Sequence, residues 1–176
     1  MTALNDVHVL VVDDSRQMRL LLRSLLRAGG LTKLSEAESA EAALAVLRRR
    51  RVDLIIVDWM MQGVDGLAFT RKLRWDNDSP NPYMPILMLT AHTEASRVAA
   101  ARDAGVTGFI KKPISARLLF DRVAGALSDT RIYVRTDDFF GPDRRRGTSP
   151  DYAGPFRRAA DQGAVDTVDL DDLRVA

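Results

Sequence analysis

The first 127 residues alternate short apolar runs with segments of helical periodicity, and this alternation restricts the possible folds more than any other feature. The apolar runs predict five β-strands, in the segments HVLVVDD, LTKLSEAES, DLIIVDW, MPILMLTA and TGFIKK. The spacing of apolar residues predicts a helix after each strand, over Ser15–Ala28, Ala40–Arg50, Leu67–Arg74, Glu94–Ala104 and Ser115–Leu127. Strands of this kind, alternating with helices, are typical of a parallel sheet covered on both faces. The sequence therefore predicts an α/β fold with a five-stranded, doubly wound parallel sheet.

Length and composition limit the class of protein. The chain has 176 residues, which suits one domain, predicted over residues 5–128, and an extension over residues 129–176. Hydrophobic residues make up 46% of the chain, enough for a sizeable core. No apolar run approaches the roughly 20 residues of a membrane-spanning helix. The chain contains no cysteine, and its start lacks the features of a signal peptide. We therefore expect a cytoplasmic protein without membrane insertion.

Polar residues follow four of the predicted strands where each one ends. Asp13 and Asp14 end the first strand, Asp58 the third, Thr90 the fourth, and Lys112 the fifth. Functional groups of open parallel sheets gather beyond the carboxyl ends of the strands. Clustered carboxylates repel each other unless a cation neutralises them, and Mg²⁺ prefers oxygen ligands. The alternative is that each aspartate separately caps a helix or shapes a turn.

Four motifs carry a resemblance to a known family. The segments VLVVDDS, LIIVDWMM with GVDG, ILMLTA and GFIKKPI resemble the receiver domain of bacterial two-component response regulators, which has the CheY-like, flavodoxin-like fold. The resemblance extends over residues 7–127. It implies a signalling switch rather than an enzyme, which accepts a phosphoryl group from a sensor histidine kinase or a phosphotransfer protein. Autodephosphorylation would be its only other chemistry.

The resemblance also implies roles for individual residues. Asp58 would be the phosphoacceptor, with Lys112 and Thr90 contacting the phosphoryl group. Phe109 and Thr90 would be the switch residues that respond to phosphorylation, although core packing is an alternative role for Phe109. The residues that would hold Mg²⁺ are Asp13, Asp14, Asp58 and, through its main-chain carbonyl, Met60.

The composition changes after Ser128, where aliphatic residues become rare and arginine, glycine and proline frequent. We expect residues 129–176 to be a largely irregular or disordered, arginine-rich extension. It contains a weak repeat, FFGPDRR at 139–145 and YAGPFRR at 152–158. It has no helix-turn-helix pattern, and the net charge of +2 gives no indication of nucleic-acid binding, so we expect no DNA partner. The protein would therefore pass on its signal by binding another protein or a small ligand.

Arginine, aspartate and aromatic side chains of the extension suit a cyclic dinucleotide. Arginine can bind guanine or phosphate in a bidentate manner, and an aromatic ring can stack on a base. The segment resembles the arginine-rich tails of CheY-like proteins that bind cyclic di-GMP and act on the flagellar motor. The candidate binding residues are Arg131, Arg135, Phe140, Asp143, Arg144, Arg145, Arg146, Tyr152, Arg157 and Arg158.

Two hypotheses about the function of the whole chain follow. In the first, a single-domain response regulator is phosphorylated on Asp58, acts by protein–protein contact on the flagellar motor or a kinase, and binds cyclic di-GMP. In the second, the receiver is a phosphotransfer or adaptor module without nucleotide binding, and the tail only docks on proteins. A solvated arginine-rich tail without any function is a further alternative.

Overall fold

The computed structural model describes residues 6–91, 95–143 and 166–168, and in them it confirms the predicted five-stranded parallel sheet. The strand order is β2-β1-β3-β4-β5, and every neighbouring pair is parallel. The strands are β1 His8–Val12, β2 Lys33–Ala37, β3 Leu54–Asp58, β4 Ile86–Thr90 and β5 Gly108–Lys111.

Five helices connect or follow these strands, as the periodicity predicts. They are α1 Arg16–Ala28, α2 Ala40–Arg49, α3 Gly66–Trp75, α4 Ala95–Asp103 and α5 Ala116–Leu127. Four of them begin at a side chain that accepts a hydrogen bond from a main-chain N–H in the first turn; these residues are Ser15, Ser39, Asp65 and Ser115. Such caps satisfy N–H groups that have no partner within the helix, and they fix where each helix starts.

The apolar residues form one core on each face of the sheet. Along β1, Leu10 and Val12 face the core that contains residues of α2, α3 and α4, whereas Val9 and Val11 face the core that contains residues of α1 and α5. The alternation follows from the two-residue period of a strand. Burial of both faces explains why β1, β3 and β4 are apolar almost throughout, whereas the edge strand β2 carries polar residues.

The start of the extension is more regular than predicted. Strands β6 Tyr133–Arg135 and β7 Phe140–Pro142 pair in antiparallel fashion, and β8 Asp166–Val168 pairs with the other edge of β6. We call residues 131–143 the C-terminal hairpin. Tyr133 and Phe140 are almost completely buried, because aromatic rings supply the apolar surface that the few aliphatic residues of this segment do not.

The hairpin packs on residues at the end of α3 and before β4. The Phe140 ring makes edge contacts with the rings of Trp75, Tyr83 and Tyr133, at centroid distances of 6.1, 5.4 and 6.4 Å. Tyr83 and Tyr133 also touch each other, at 5.6 Å. Residues 131–143 therefore belong to the folded unit, and we propose that this unit ends near Asp143 rather than at residue 128. Within the described segments, no helix is long and apolar enough to cross a membrane.

The buried ring of Phe140 is expected to stabilise the whole fold. Replacing a buried phenylalanine with alanine removes apolar contacts and leaves a cavity, which costs about 3–5 kcal/mol. We expect Phe140→Ala to lower the free energy of unfolding by about that amount. The decrease is smaller if the hairpin detaches from the domain as a unit, because the cavity then disappears. Urea denaturation followed by circular dichroism measures it. The exposed Asp137 at the hairpin tip is a control, and an equal loss in Asp137→Ala would contradict the packing role.

Candidate functional site

Adjacent strands bring the predicted site residues to one edge of the sheet. Asp58 and Thr90 are the last residues of β3 and β4, while Asp13 and Lys112 directly follow β1 and β5. In the sheet register, Asp58 lies beside Leu89, and Thr90 lies beside Lys111. Strand ends that are neighbours in a parallel sheet place Asp13, Asp58 and Lys112 around one small volume, as the sequence predicts, and Thr90 is buried at the end of the neighbouring strand.

Three carboxylates converge at this edge. Asp13, Asp14 and Asp58 each offer one carboxylate oxygen, and these oxygens all lie within 4.8 Å of one another. Asp13 and Asp58 are buried, whereas Asp14 is exposed. Three negative charges this close repel each other strongly where water is excluded. The arrangement therefore requires positive charge nearby.

Lys112 supplies part of that charge. Its Nζ lies 2.7 Å from Asp58 Oδ1 and 3.8 Å from Asp13 Oδ2. The backbone fixes the start of the side chain, since the Lys112 N–H donates to the Thr90 carbonyl at 2.8 Å. The peptide bond between Lys112 and Pro113 is cis. One ammonium group cannot balance three carboxylates, so the site keeps an excess of negative charge.

Asp13 is buried, and only one of its two carboxylate oxygens has a hydrogen-bond partner. Its Oδ1 accepts a hydrogen bond from the Ser15 N–H at 2.8 Å. Its Oδ2 is the one buried side-chain oxygen or nitrogen without a hydrogen-bond partner among the residues that the structure describes. Burial raises the pKa of Asp13, and the charge of Asp58 raises it further, against the lowering effect of the Ser15 N–H. An unsatisfied, charged oxygen beside two other carboxylates fits a hard divalent cation with oxygen ligands.

Several supporting contacts could not be read from the sequence. The Gln62 N–H donates to Asp14 Oδ2 at 2.9 Å, and Arg19 Nη1 donates to the Asp13 carbonyl at 2.7 Å. At Gly66, the first residue of α3, a Cβ atom would lie 2.2 Å from the Asp58 carbonyl oxygen. Glycine is therefore required there, because α3 starts against the backbone of the central carboxylate. The segment GVDG signals a turn but does not indicate this contact.

The remaining receiver residues have the following positions. Thr90 is buried at the end of β4, and Phe109 is half-buried in β5, where it packs against the core that contains α2 and α3. The Met60 side chain is 62% exposed. The switch roles of Thr90 and Phe109, and the metal-ligand role of the Met60 carbonyl, stay predictions.

The structure describes four of the ten predicted ligand residues of the extension: Arg131, Arg135, Phe140 and Asp143. Arg131 and Arg135 are exposed; Arg131 Nη2 donates to the Thr107 carbonyl and pairs with Asp129, and Arg135 lies over the rings of Trp75 and Phe140. Six further residues lie outside the described part of the chain: Arg144, Arg145, Arg146, Tyr152, Arg157 and Arg158.

The prediction that Phe140 stacks on a nucleotide base is wrong for the docked hairpin. The side chain is 1% exposed, because its ring is enclosed by the rings of Trp75, Tyr83 and Tyr133. Asp143 is also buried, with 7% exposure, at the end of the hairpin, where its N–H donates to the Ile132 carbonyl at 2.8 Å. Phe140 thus packs the hairpin on the domain, whereas the Asp143 N–H closes the hairpin itself.

Comparison with known proteins agrees with the geometry of the sheet edge. Residues 9–124 match the sequence model of the response regulator receiver domain family. Chemotaxis protein CheY of Pseudomonas aeruginosa is 34% identical over 115 residues, which are 65% of this chain and 91% of that protein. Chemotaxis protein CheY-3 of Vibrio cholerae is 32% identical over 118 residues, 67% of this chain and 89% of that protein. The solved structure of CheY4 of Vibrio cholerae superposes with a TM-score of 0.64 at 30% identity, covering 69% of this chain and 98% of that one.

The orphaned oxygen of Asp13 leads to a prediction about metal binding. A ligand that binds only the folded state stabilises it by mass action. We expect millimolar MgCl₂ to raise the melting temperature of the native chain. The variant Asp13→Asn should lose most of this increase and should melt no lower than the native chain without metal, because it removes a buried charge.

Differential scanning calorimetry with and without MgCl₂ measures both effects. Asp121→Asn removes an exposed carboxylate of α5 and serves as the control for nonspecific ion effects. A magnesium response that is the same in all three proteins would contradict a metal site at the sheet edge.

Proposed function

The chain belongs to the response regulator receiver domain family, and from this premise we propose that it is phosphorylated on Asp58 in two-component signalling. One observation carries the proposal: the Asp58 carboxylate lies 2.7 Å from the Lys112 ammonium, within a cluster of three carboxylates suited to a divalent cation. A carboxylate in such surroundings can act as a nucleophile towards phosphorus.

The residues of the site have separate parts in this reaction. An Asp58 oxygen attacks the phosphorus of the donor and forms an acyl phosphate, while the donor keeps the electrons of the broken bond. Lys112 Nζ, which contacts Asp58 Oδ1, is in reach of an oxygen of the incoming group. The Thr90 hydroxyl, at the end of the neighbouring strand, is the second candidate donor to a phosphoryl oxygen.

The carboxylates Asp13, Asp14 and Asp58 would hold Mg²⁺, with the Met60 carbonyl as a further ligand. When bound, the ion supplies positive charge that offsets the negative charge of the transferring phosphoryl group. The buried position of Asp13 and Asp58 excludes water from two of the three ligands, which strengthens every electrostatic interaction in the site.

Phosphorylation would change the charge balance of the sheet edge. An acyl phosphate carries about two negative charges where the carboxylate carried one. Lys112 would exchange its contact with Asp58 for one with the phosphoryl group, and Thr90 and Phe109 would follow. A local change of this kind can bias a two-state element that a partner protein reads.

The partners follow from the same premise. A receiver takes its phosphoryl group from a histidine kinase or a phosphotransfer protein, and it gives its output through contacts with a target protein. We propose that this target is the flagellar motor switch or a kinase, in line with the chemotaxis proteins among the relatives. The cytoplasmic location expected from the sequence belongs to the same proposal.

Replacement of Asp58 tests the phosphorylation proposal. Incubation of the native chain with acetyl phosphate and MgCl₂ should add one phosphoryl group, detected by intact-protein mass spectrometry. Asp58→Asn should abolish the addition, because an amide is not a nucleophile towards phosphorus, and omission of Mg²⁺ should reduce it at least about tenfold. Asp121→Asn is the matched control. Undiminished labelling of Asp58→Asn would rule out Asp58 as the acceptor.

We further propose that the arginine-rich extension binds cyclic di-GMP. In support, the hairpin holds Arg131 and Arg135 exposed on the domain surface, and the chain continues from the buried Asp143 directly into Arg144–Arg146. Arg144 thus directly follows a buried residue of the described part of the chain. The alternative, in which the tail only docks on a protein, predicts no affinity for the nucleotide.

Isothermal calorimetry with cyclic di-GMP distinguishes these alternatives. We expect saturable binding, weakened at least about tenfold by the double variant Arg144→Ala with Arg145→Ala, since each bidentate arginine contact contributes about 1–3 kcal/mol. The pair Arg48→Ala with Arg49→Ala, in the last turn of α2, removes the same charge elsewhere and should bind normally. Absence of heat with the native chain, or equal loss in both double variants, would reject specific nucleotide binding.

A further inference from the structure

The C-terminal hairpin contacts the two loops that lead into β4 and β5. The Tyr133 hydroxyl donates to the Met84 carbonyl, at 3.4 Å, just before β4. Arg131 Nη2 donates to the Thr107 carbonyl, at 3.0 Å, just before β5. At the opposite edge of the sheet, β4 ends in Thr90 and β5 is followed by Lys112. For strands of this length that edge is on the order of 15 Å away.

A fully buried arginine joins the same two loops underneath the hairpin. Arg74 is 1% exposed, and its guanidinium donates to the carbonyls of Pro82 at 2.6 Å, Met84 at 2.7 Å and Gly105 at 2.9 Å. The Tyr133 ring covers it, with the guanidinium carbon 5.3 Å from the ring centroid. Burial lowers the pKa of Arg74, and Tyr133 acts in the opposite direction. The burial of the Arg74 guanidinium thus depends in part on the Tyr133 ring of the hairpin.

Two glycines bring the main chains of the hairpin and the receiver into direct contact. A Cβ atom on Gly141 would lie 2.6 Å from the Gly105 Cα, and one on Gly105 would lie 2.2 Å from the Phe140 carbonyl oxygen. Gly105 also has a φ of +90°, which other residues rarely adopt. The loop before β5 therefore cannot move towards the hairpin without displacing it.

We propose that docking of the hairpin and phosphorylation of Asp58 are thermodynamically linked through β4 and β5. This inference rests on the proposed phosphorylation of Asp58. In this proposal the docked hairpin favours the arrangement in which Lys112 pairs with Asp58, which is the arrangement that phosphorylation would replace. Release of the hairpin then favours the phosphorylated state, and phosphorylation loosens the hairpin by the same factor.

A pair of glycine-to-alanine variants tests the linkage in the full-length chain. Gly141→Ala places a methyl group against Gly105 and displaces the hairpin, whereas Gly125→Ala, in α5, meets no atom within 4 Å and is the matched control. Trp75 reports docking because it contacts Phe140. The chain has two tryptophans, so all comparisons use a Trp59→Phe background in which Trp75 is the remaining one.

The probe is beryllium fluoride with MgCl₂, a stable substitute for the phosphoryl group. Calorimetry should give an affinity about fivefold higher for Gly141→Ala than for its parent and for Gly125→Ala, at the lower end of usual coupling energies. In the parent, the probe should increase acrylamide quenching of Trp75. Phe140→Ala removes the ring under Arg135 and is a second variant in which the hairpin is displaced. Its affinity for the probe should equal that of Gly141→Ala.

The outcomes separate this inference from the function on which it rests. If Trp75 is more accessible in Gly141→Ala but the affinity stays within twofold of the parent, the linkage is overturned and phosphorylation of Asp58 is unaffected. If acetyl phosphate does not label Asp58 in the native chain, both proposals fall. Higher affinity together with greater Trp75 quenching supports the linkage.

Discussion

The repulsion among three carboxylates at one edge of the sheet is the constraint on which the rest of the structure depends. Asp13, Asp14 and Asp58 are close enough to share one cation, and a single ammonium from Lys112 balances only part of their charge. A fold that keeps such a cluster must hold it rigidly, because relaxation would separate the charges. The apolar strands behind the site, buried on both faces, provide that rigidity.

The same constraint explains the local backbone around the site. The Ser15 and Gln62 N–H groups donate to the carboxylates, and Arg19 donates to the carbonyl beside them. Gly66 lets α3 start against the Asp58 carbonyl. These contacts partly offset the charge without neutralising it. The site therefore remains responsive to any group that changes its charge, which is the property a phosphoryl-dependent switch needs.

Much of the fold and of the receiver site follows from the sequence, whereas the C-terminal hairpin does not. The positions of Asp58, Thr90 and Lys112 are predictable because each ends an apolar run, and strand ends in a parallel sheet meet at one edge. The hairpin is not predictable from its local sequence, because its composition is that of a surface segment. Phe140 is buried by Trp75 and Tyr83, which lie more than fifty positions earlier in the chain, and no local pattern reveals such partners.

The carbonyl partners of Arg74 have a consequence for how the molecule responds to ionic strength. Ion pairs near a surface weaken as dissolved electrolyte screens them, whereas a buried guanidinium that is held by neutral oxygens is hardly affected. The connection between the two loops that lead into β4 and β5, which the Tyr133 ring of the hairpin covers, should thus persist in concentrated salt, where exposed pairs such as Lys33 with Asp6 lose their strength. High salinity would leave the base on which the hairpin packs intact.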